Sequence, residues 1–459
     1  MLTNLLSFAG VMKTIGGFGL AIVILLAMVT IHEFGHYIAG KWLNFKINEF
    51  SVGFGPAIFK KRSKKTGVTF SLRIIPLGGY CAFDGEDGDD EDENKTDKKG
   101  GEISESEDEP FEELTAKNGG NTQNDGGMSA LNESAGATKC EQAQGGTESS
   151  VSEATEEDKA KDEKDEYPEP QGERFNDQKP WKRIIVLVAG ATMNYLLALF
   201  LILLMFITVG RPVYKVAEDK SYAVAAGQTF EGGLQDGDTV LKIEGKTLYM
   251  VTDWLDALDG KKKGETVDVL VLRDGKKQEV QVVLYQDATV KNMSDTSSIF
   301  FSLGLVVREQ DADGKTEILR YCELQSASVR DGFFQTIGHS FMYSVKLGGS
   351  VLRSLGELLT GKIGINAMGG PVTTISVTAE AASNGYASFL NIAALIGVNL
   401  AVFNLLPVPA LDGCKVIFCI IEWIRKKPIN RKVEMIINLA GLIFLFGFAI
   451  LVDVLHFVL

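Results

Sequence analysis

Four long apolar runs interrupt an otherwise mixed chain. The first extends from about Gly16 to Ile38 and is uncharged up to His32, and the second, Ile184 to Val209, carries no charge at all. A third spans about Ala387 to Leu411 and stays uncharged until Asp412; the fourth, Met435 to Val452, stops at Asp453. A bilayer core about 30 Å thick is crossed by roughly 20 helical residues, so each run predicts a spanning helix. No small-residue cleavage site follows the first run, which is therefore expected to be retained rather than removed as a signal peptide. Between the second and third runs the pattern changes. Residues 212–284 alternate short β-branched stretches with turn signals at Asp236-Gly237-Asp238, Glu244-Gly245 and Asp274-Gly275, predicting a small β-rich domain. A further β-like stretch, Val68 to Ile75, ends in Pro76 and Gly78-Gly79 and predicts a strand or hairpin after the first span.

Charge refines this picture. The chain of 459 residues carries 60 acidic and 46 basic side chains, yet residues 84–174 alone hold 30 acidic against 9 basic, a net of −21. The remainder is mildly basic, which excludes an acid-surfaced soluble enzyme. The acidic stretch has hardly an aromatic residue and is expected to be disordered, because it cannot bury enough apolar surface to offset chain entropy. Lys41, Lys46, Lys60, Lys61 and Arg62 after the first span, and Lys179, Lys182 and Arg183 before the second, predict a cytoplasmic loop. Arg425, Lys426, Lys427, Arg431 and Lys432 repeat the signal between the third and fourth spans. Both termini and the β-rich domain are then expected on the outer side, in a multi-pass protein of the cell membrane. The five cysteines, Cys81, Cys140, Cys322, Cys414 and Cys419, form no CxxC pair, so neither a disulfide framework nor a cysteine zinc site is indicated.

The candidate chemistry lies in His32-Glu33-Phe34-Gly35-His36, which sets two imidazoles at i and i+4 on one helical face with a carboxylate beside the first. This spacing suits one Zn²⁺ with Glu33 as general base. The bland alternative is a chance HExxH with satisfied histidines. It is disfavoured because ionisable groups in an apolar helix are costly and mark function by default. A catalytic zinc takes a third protein ligand, and Asp412, closing Asn404-Leu405-Leu406-Pro407-Val408-Pro409-Ala410-Leu411-Asp412-Gly413, has the right chemistry. The two prolines break the helix there, so unwound backbone is expected at membrane depth. A helix cap at the membrane surface is the competing role for Asp412, and chemistry alone leaves the two open.

Together these residues resemble the site-2 proteases, intramembrane zinc metalloproteases whose patterns HExxH and NxxPxPxLDG match His32 to His36 and Asn404 to Gly413. Gly53-Phe54-Gly55-Pro56, Ile75-Pro76-Leu77-Gly78-Gly79-Tyr80, Trp181-Lys182-Arg183 with Ala189-Gly190 and Asn194, and Gly370-Pro371 agree with the family. The resemblance makes Asp412 the third zinc ligand and implies that Asn399 and Asn404 bind the substrate backbone or stabilise the oxyanion. The order of elements is similar to the sigma-factor-regulating bacterial branch, whose outer domain is a PDZ domain. Gly233-Leu234-Gln235-Asp236-Gly237-Asp238-Thr239-Val240 and Ile243-Glu244-Gly245, with Ala223 to Gly227, look like the PDZ pattern. Three departures stand out: Cys414 replaces a second Gly after LDG, Cys81-Ala82 follows Gly79-Tyr80 where the family has Val-Lys, and Ala191 follows Ala189-Gly190 where it has Pro.

The resulting expectation is a polytopic α-helical membrane enzyme. Residues 1–83 hold the first span and a membrane-associated hairpin, 84–174 the acidic insertion, and 175–210 the second span. Residues 211–290 form the PDZ-like domain, 291–384 a connecting segment, and 385–459 the last two spans. It would hydrolyse peptide bonds in transmembrane segments of single-span proteins, with an anti-sigma factor trimmed beforehand or signal-peptide remnants as the implied partners, beside the lipid bilayer and no nucleic acid. Since helical carbonyls are hidden, the substrate must unwind and can be held by strand addition; Ile74, Ile75, Gly78 and Gly79 are the candidate contacts. A non-proteolytic PDZ scaffold and a zinc transporter are the alternatives from other classes.

Overall fold

The computed structural model describes residues 8–86, 167–219, 233–288, 297–310, 316–364 and 369–458. Residues 87–166 of the acidic insertion, Cys140 and the Ala223–Gly227 segment lie outside them. The first apolar run is helix α1 (Phe8–Trp42) and the second is α2 (Pro180–Thr208), with Pro180 preset for the first helical turn. Between them, β1 (Ile47–Arg62) pairs antiparallel with β2 (Thr69–Phe83). The third run yields α7 (Tyr386–Asn404), which stops seven residues short of the expected end at Leu411; Leu405 to Leu411 are irregular, and a new helix, α8 (Asp412–Arg425), begins at the aspartate. The fourth run is α9 (Arg431–Val458), longer at both ends than the apolar core alone predicts. Gly16–Trp42, Pro180–Thr208, Tyr386–Asn404 and Arg431–Leu455 are long and apolar enough to cross a membrane.

After α2 the chain enters a seven-stranded antiparallel sheet: β3 (Arg211–Glu218), β4 (Thr239–Ile243), β5 (Lys246–Thr247), β6 (Thr266–Arg273), β7 (Lys276–Val283), β8 (Val306–Gln310) and β9 (Thr316–Val329). The strand order is β7-β6-β4-β3-β9-β8, with β5 on β4. Two short helices, α3 (Val251–Leu258) and α4 (Ser297–Ser302), cover one side. There Trp254, Leu255, Val240, Ile243, Val269 and Leu305 form a closed apolar core.

This sheet exceeds the expected boundary at residue 290. Strand β9 pairs along the whole of β3, from Arg211 opposite Val329 to Glu218 opposite Cys322, and β8 pairs with β9, so residues 306–310 and 316–329 belong to the sheet rather than to a connecting segment. The cause is non-local: β3 offers two edges, and the return of the chain fills the one that β4 leaves open. The same segment also holds α4 and, after β9, α5 (Phe333–Leu359) and α6 (Pro371–Ser383). α6 packs on α1 closely enough that a Cβ added to Gly17 would meet the Ala379 carbonyl oxygen at 2.9 Å.

The flanks of the acidic insertion are fixed to the helical body. Lys46 N–H donates to Glu173 O at 2.9 Å, Glu173 N–H to Asn44 O at 3.0 Å and Phe175 N–H to Asp84 O at 2.8 Å. Phe45, Phe83 and Phe175 pack beneath these bonds. Residues 84–86 and 167–174 therefore differ from the expectation of disorder across 84–174, because backbone pairing and buried aromatics hold them.

The β1–β2 unit is more folded than a plain hairpin. Residues 49–52 pair with both 69–72 and 79–82, and residues 69–72 pair in addition with 59–62. Both strands thus bend back on themselves, at Gly53-Phe54-Gly55-Pro56 and around Pro76 to Gly79, in segment order 79–82, 49–52, 69–72, 59–62.

Candidate metal centre

α1 and α2 cross through small residues. A Cβ added to Gly35 would stand 2.5 Å from the Ala189 carbonyl oxygen, and one added to Gly190 would stand 2.4 Å from His36 Nε2 and 2.8 Å from His32 Cε1. Any side chain at position 190 would occupy the ground on which the two imidazoles sit. From the other side, α7 ends at Asn404 and the proline-containing turn swings the chain back. Ala410 takes a left-handed conformation (φ 73°) and its N–H lies 3.3 Å from Asn438 Oδ1. A Cβ on Gly413 would collide with Leu406 O at 2.2 Å, so glycine is required immediately after Asp412. Asp412 then sits in the first turn of α8, where the helix dipole favours a carboxylate.

The three candidate ligands converge. His32 Nε2 lies 3.0 Å and His36 Nε2 3.3 Å from Asp412 Oδ2, and the two Nε2 atoms are 3.1 Å apart. Both histidines are buried and Asp412 half-buried. Among the described residues this is the group of His, Cys, Asp or Glu side chains able to hold one ion. The donor set fits zinc. Four ligands about 2.0–2.1 Å from the metal stand about 3.3 Å apart along tetrahedron edges, close to the three separations here. Two imidazole nitrogens and one carboxylate oxygen leave a fourth position for water or substrate, the hallmark of a catalytic rather than structural site. The competing cap role for Asp412 does not describe its contacts, since its carboxylate faces the imidazoles. His36 Nδ1 donates to Val186 O at 2.8 Å, which turns its Nε2 lone pair toward the cluster.

Glu33 is half-buried beside this group and accepts a hydrogen bond from the backbone of Cys81. Gly79 also passes close: a Cβ there would be 3.2 Å from Glu33 Cγ. Asn404 reaches the site, its Nδ2 3.5 Å from His32 Nδ1. Asn399 does not share that position, since five residues along a helix turn the side chain by about 140°; it makes no side-chain hydrogen bond to the cluster. Cys414 is buried just past Asp412, outside the ligand group. His339 lies on α5, away from the cluster, its Nδ1 2.7 Å from the Tyr249 hydroxyl.

The substrate edge expected at Val68 to Ile75 is corrected. Residues 69–72 are paired on both sides and cannot accept another strand, whereas among the described residues 79–82 pair on one side only, with 49–52. The Cys81 N–H points away from that pairing, toward Glu33. Of the four candidate contacts, Gly79 stands at the free edge beside Glu33 and Gly78 at its entry. Ile74 and Ile75 are exposed on the neighbouring bend. An added Cβ at Gly78 would meet the Phe54 ring. Asn194 of α2, which the family resemblance includes without giving it a role, is buried with Nδ2 3.3 Å from His32 Nδ1. Its place four residues after Gly190, on the same helical face, is the signal that points to it.

Comparison with known proteins agrees with this geometry. Residues 20–448 match the model of peptidase family M50. The chain is 28% identical over 446 residues to the zinc metalloprotease RasP of Bacillus licheniformis, covering 92% of this chain and 94% of that protein. It is also 28% identical over 432 residues to the regulator of sigma-W protease RasP of Bacillus subtilis, with 92% and 94% covered. With a match across nearly its whole length and the two-histidine, one-aspartate cluster in place, this chain belongs to peptidase family M50 and is a zinc metalloprotease of the site-2 type.

Proposed function

We propose that the protein hydrolyses peptide bonds within or next to the membrane-spanning segment of single-span membrane proteins, as a step of regulated intramembrane proteolysis. The observation that carries this reading is the placement of His32, His36, Asp412 and Glu33 among helices apolar enough to cross a bilayer, directly beside a free strand edge. His32, His36 and Asp412 hold the zinc. When bound, the metal supplies Lewis acidity toward the scissile carbonyl and brings the pKa of water towards about 7. Glu33 takes the proton of the attacking water at its carboxylate and passes it to the leaving amine. The outward edge of residues 79–81 holds the unwound substrate as an added strand, which exposes carbonyls that a helix hides. Asn404, at the mouth of the site, binds the substrate backbone. Asn399 lies farther along α7 and lines the substrate path.

The spans number four, with the lysine-rich loop carrying the acidic insertion on the cytoplasmic side and both termini outside. The seven-stranded sheet then lies outside as a PDZ-like module, a reading supported by Gly237 and Gly245, which take positive φ at the turns flanking β4. Its task is to admit substrates whose outer parts have been trimmed. The sigma-W regulator named among the relatives supports an anti-sigma factor as substrate, and signal-peptide remnants share the same chemistry.

The test uses the purified full chain and a single-span membrane substrate lacking its outer domain. Wild-type protein cleaves it, a chelator stops cleavage and zinc restores it. Glu33→Gln keeps its zinc and retains below about one per cent of the rate, as removal of a general base together with its charge predicts. Cleavage by Glu33→Gln at the wild-type rate refutes the role of Glu33, and a zinc-loaded wild type that cleaves nothing favours a scaffold.

A further inference from the structure

The ring nitrogen of His32 that faces away from the cluster, Nδ1, has an unusual neighbourhood. In His36 the rear nitrogen meets a backbone carbonyl, Val186 O, which can only accept. Among the described residues no such carbonyl stands behind His32; instead two side-chain amides converge on its Nδ1, Nδ2 of Asn194 at 3.3 Å and Nδ2 of Asn404 at 3.5 Å. Asn194 is 1% exposed and its Oδ1 has no hydrogen-bond partner among the described residues. A buried amide oxygen without a partner costs about 1–3 kcal/mol, so an otherwise well-packed α2 carries an expense its neighbours do not explain.

Nδ2 of Asn194 is the atom that faces His32 Nδ1, and metal ligation decides which of the two amide atoms belongs there. A neutral imidazole has one proton, and a zinc ligand must present the Nε2 lone pair, so the proton sits on Nδ1 and needs an acceptor. Oxygen and nitrogen of an asparagine amide exchange places by a half-turn about a soft two-fold torsion. No other partner holds the Asn194 oxygen where it is.

We propose that Asn194 is the positioning residue of this metal centre, its side-chain oxygen accepting the Nδ1 proton of His32 and thereby fixing the tautomer that turns Nε2 toward zinc. Asn194 takes this role rather than Asn404 because it is fully buried and closer, and because it shares a helical face with Gly190, on which the imidazoles rest. Asn404, half-buried where α7 ends, keeps its amide for the substrate backbone. The inference rests on the zinc-protease reading above and assigns a partner within it.

The test measures the zinc dissociation constant of the detergent-purified full chain by competition with a chelator, so that it does not depend on cleavage. Asn194→Leu preserves size and removes the acceptor; it weakens zinc binding about 10–100-fold, the usual loss for a partner of a metal-bound histidine. Asn194→Asp preserves shape and is an acceptor only; it stays within about threefold of wild type. Asn404→Leu also stays within about threefold while cleavage falls. Zinc binding by Asn194→Leu equal to wild type overturns the assignment, as does Asn194→Asp binding as weakly as Asn194→Leu, which would make the site one of packing alone. Equal losses in the Asn404 and Asn194 leucine variants overturn it as well. A wild-type chain that binds no zinc overturns this inference and the reading it rests on, whereas a zinc-binding wild type with an indifferent Asn194 overturns the inference alone.

Discussion

Helix α8 carries one carboxylate into each of two polar clusters, one shared with α2 and one with α1, and the two differ in a way that separates structure from chemistry. Near the start of α2, Arg183 meets Glu422 of α8, both side chains almost fully buried. The Glu422 carboxylate also accepts the Ile429 N–H at 2.9 Å and faces Arg431 at 3.5 Å. Opposite charges face each other there, although Arg183 Nε has no partner among the described residues. At the other end of α8, two imidazole nitrogens and one carboxylate oxygen turn toward a single point. Lone pairs converge there in excess of protons. Buried charge of the first kind stabilises a packing arrangement only as long as both partners remain; convergence of the second kind needs a cation. Opposite charges set face to face mark an ion pair, and ligand atoms turned to one point mark a ligand cluster, although α8 contributes a carboxylate to both.

The sharpest way to break this distinction is to substitute in the metal cluster. Asp412→Ala removes a ligand and should strip zinc from the purified protein and with it nearly all cleavage, while thermal unfolding of the zinc-free protein changes little. Metal content by elemental analysis checks it; full zinc occupancy in Asp412→Ala would remove Asp412 from the ligand set.

The ion pair should respond in the opposite sense. Glu422→Leu leaves the Arg183 charge buried without its partner and should destabilise the helical body by about 3–5 kcal/mol, whereas replacing both residues with apolar ones of similar volume should be close to neutral. Zinc content per folded molecule stays at the wild-type level in both. Thermal unfolding in detergent reads the first effect, and a single variant as stable as the double would show that the two charges do not face each other in the way described.

A smaller version of the pair lies in the β1–β2 unit and is partly exposed. Arg73 Nη2 donates to Glu49 Oε1 at 2.9 Å and to the Tyr80 hydroxyl at 2.6 Å, and Ser71 donates to the same Glu49 oxygen. Burial pushes the Glu49 carboxyl up, but the hydrogen bonds from Ser71 and Arg73 outweigh it and hold it below the usual carboxylate range. Because the folded value is depressed, the contribution is present above the unfolded value of about 4.3 and is lost as pH falls through the folded one. The amount should be under about 1 kcal/mol for so exposed a pair. Protease resistance of the β1–β2 unit should decline between about pH 5 and about pH 3 in the wild type, and the decline should flatten in Glu49→Gln. An unchanged decline in that variant would place the acid sensitivity elsewhere.

Residues acting through local periodicity were legible in the sequence. Apolar runs of spanning length, the i, i+4 histidines with Glu33 between them, and the proline-broken stretch before Asp412 all rest on distances along one segment, which helix geometry converts directly into space. The metal-ligand role of Asp412 was open between two chemistries until α8 brought its carboxylate across 380 residues to His32. The same holds for the free edge. Residues 68–75 have the composition of a strand, but whether a strand has an open edge depends on what pairs with each side, and the bends at Gly53 to Pro56 and Pro76 to Gly79 moved that edge to residues 79–81 beside Glu33. Strand β9 joined the outer sheet for the same reason, filling the second edge of β3. Asn194 belongs to the family pattern with Ala189-Gly190, but only the crossing of α1 over α2 sets it behind a histidine. Propensity and periodicity act within a turn or two of chain; strand edges, ligand sets and the partners of a buried imidazole are fixed by contacts between segments far apart in sequence, and those exist only once the helices have packed.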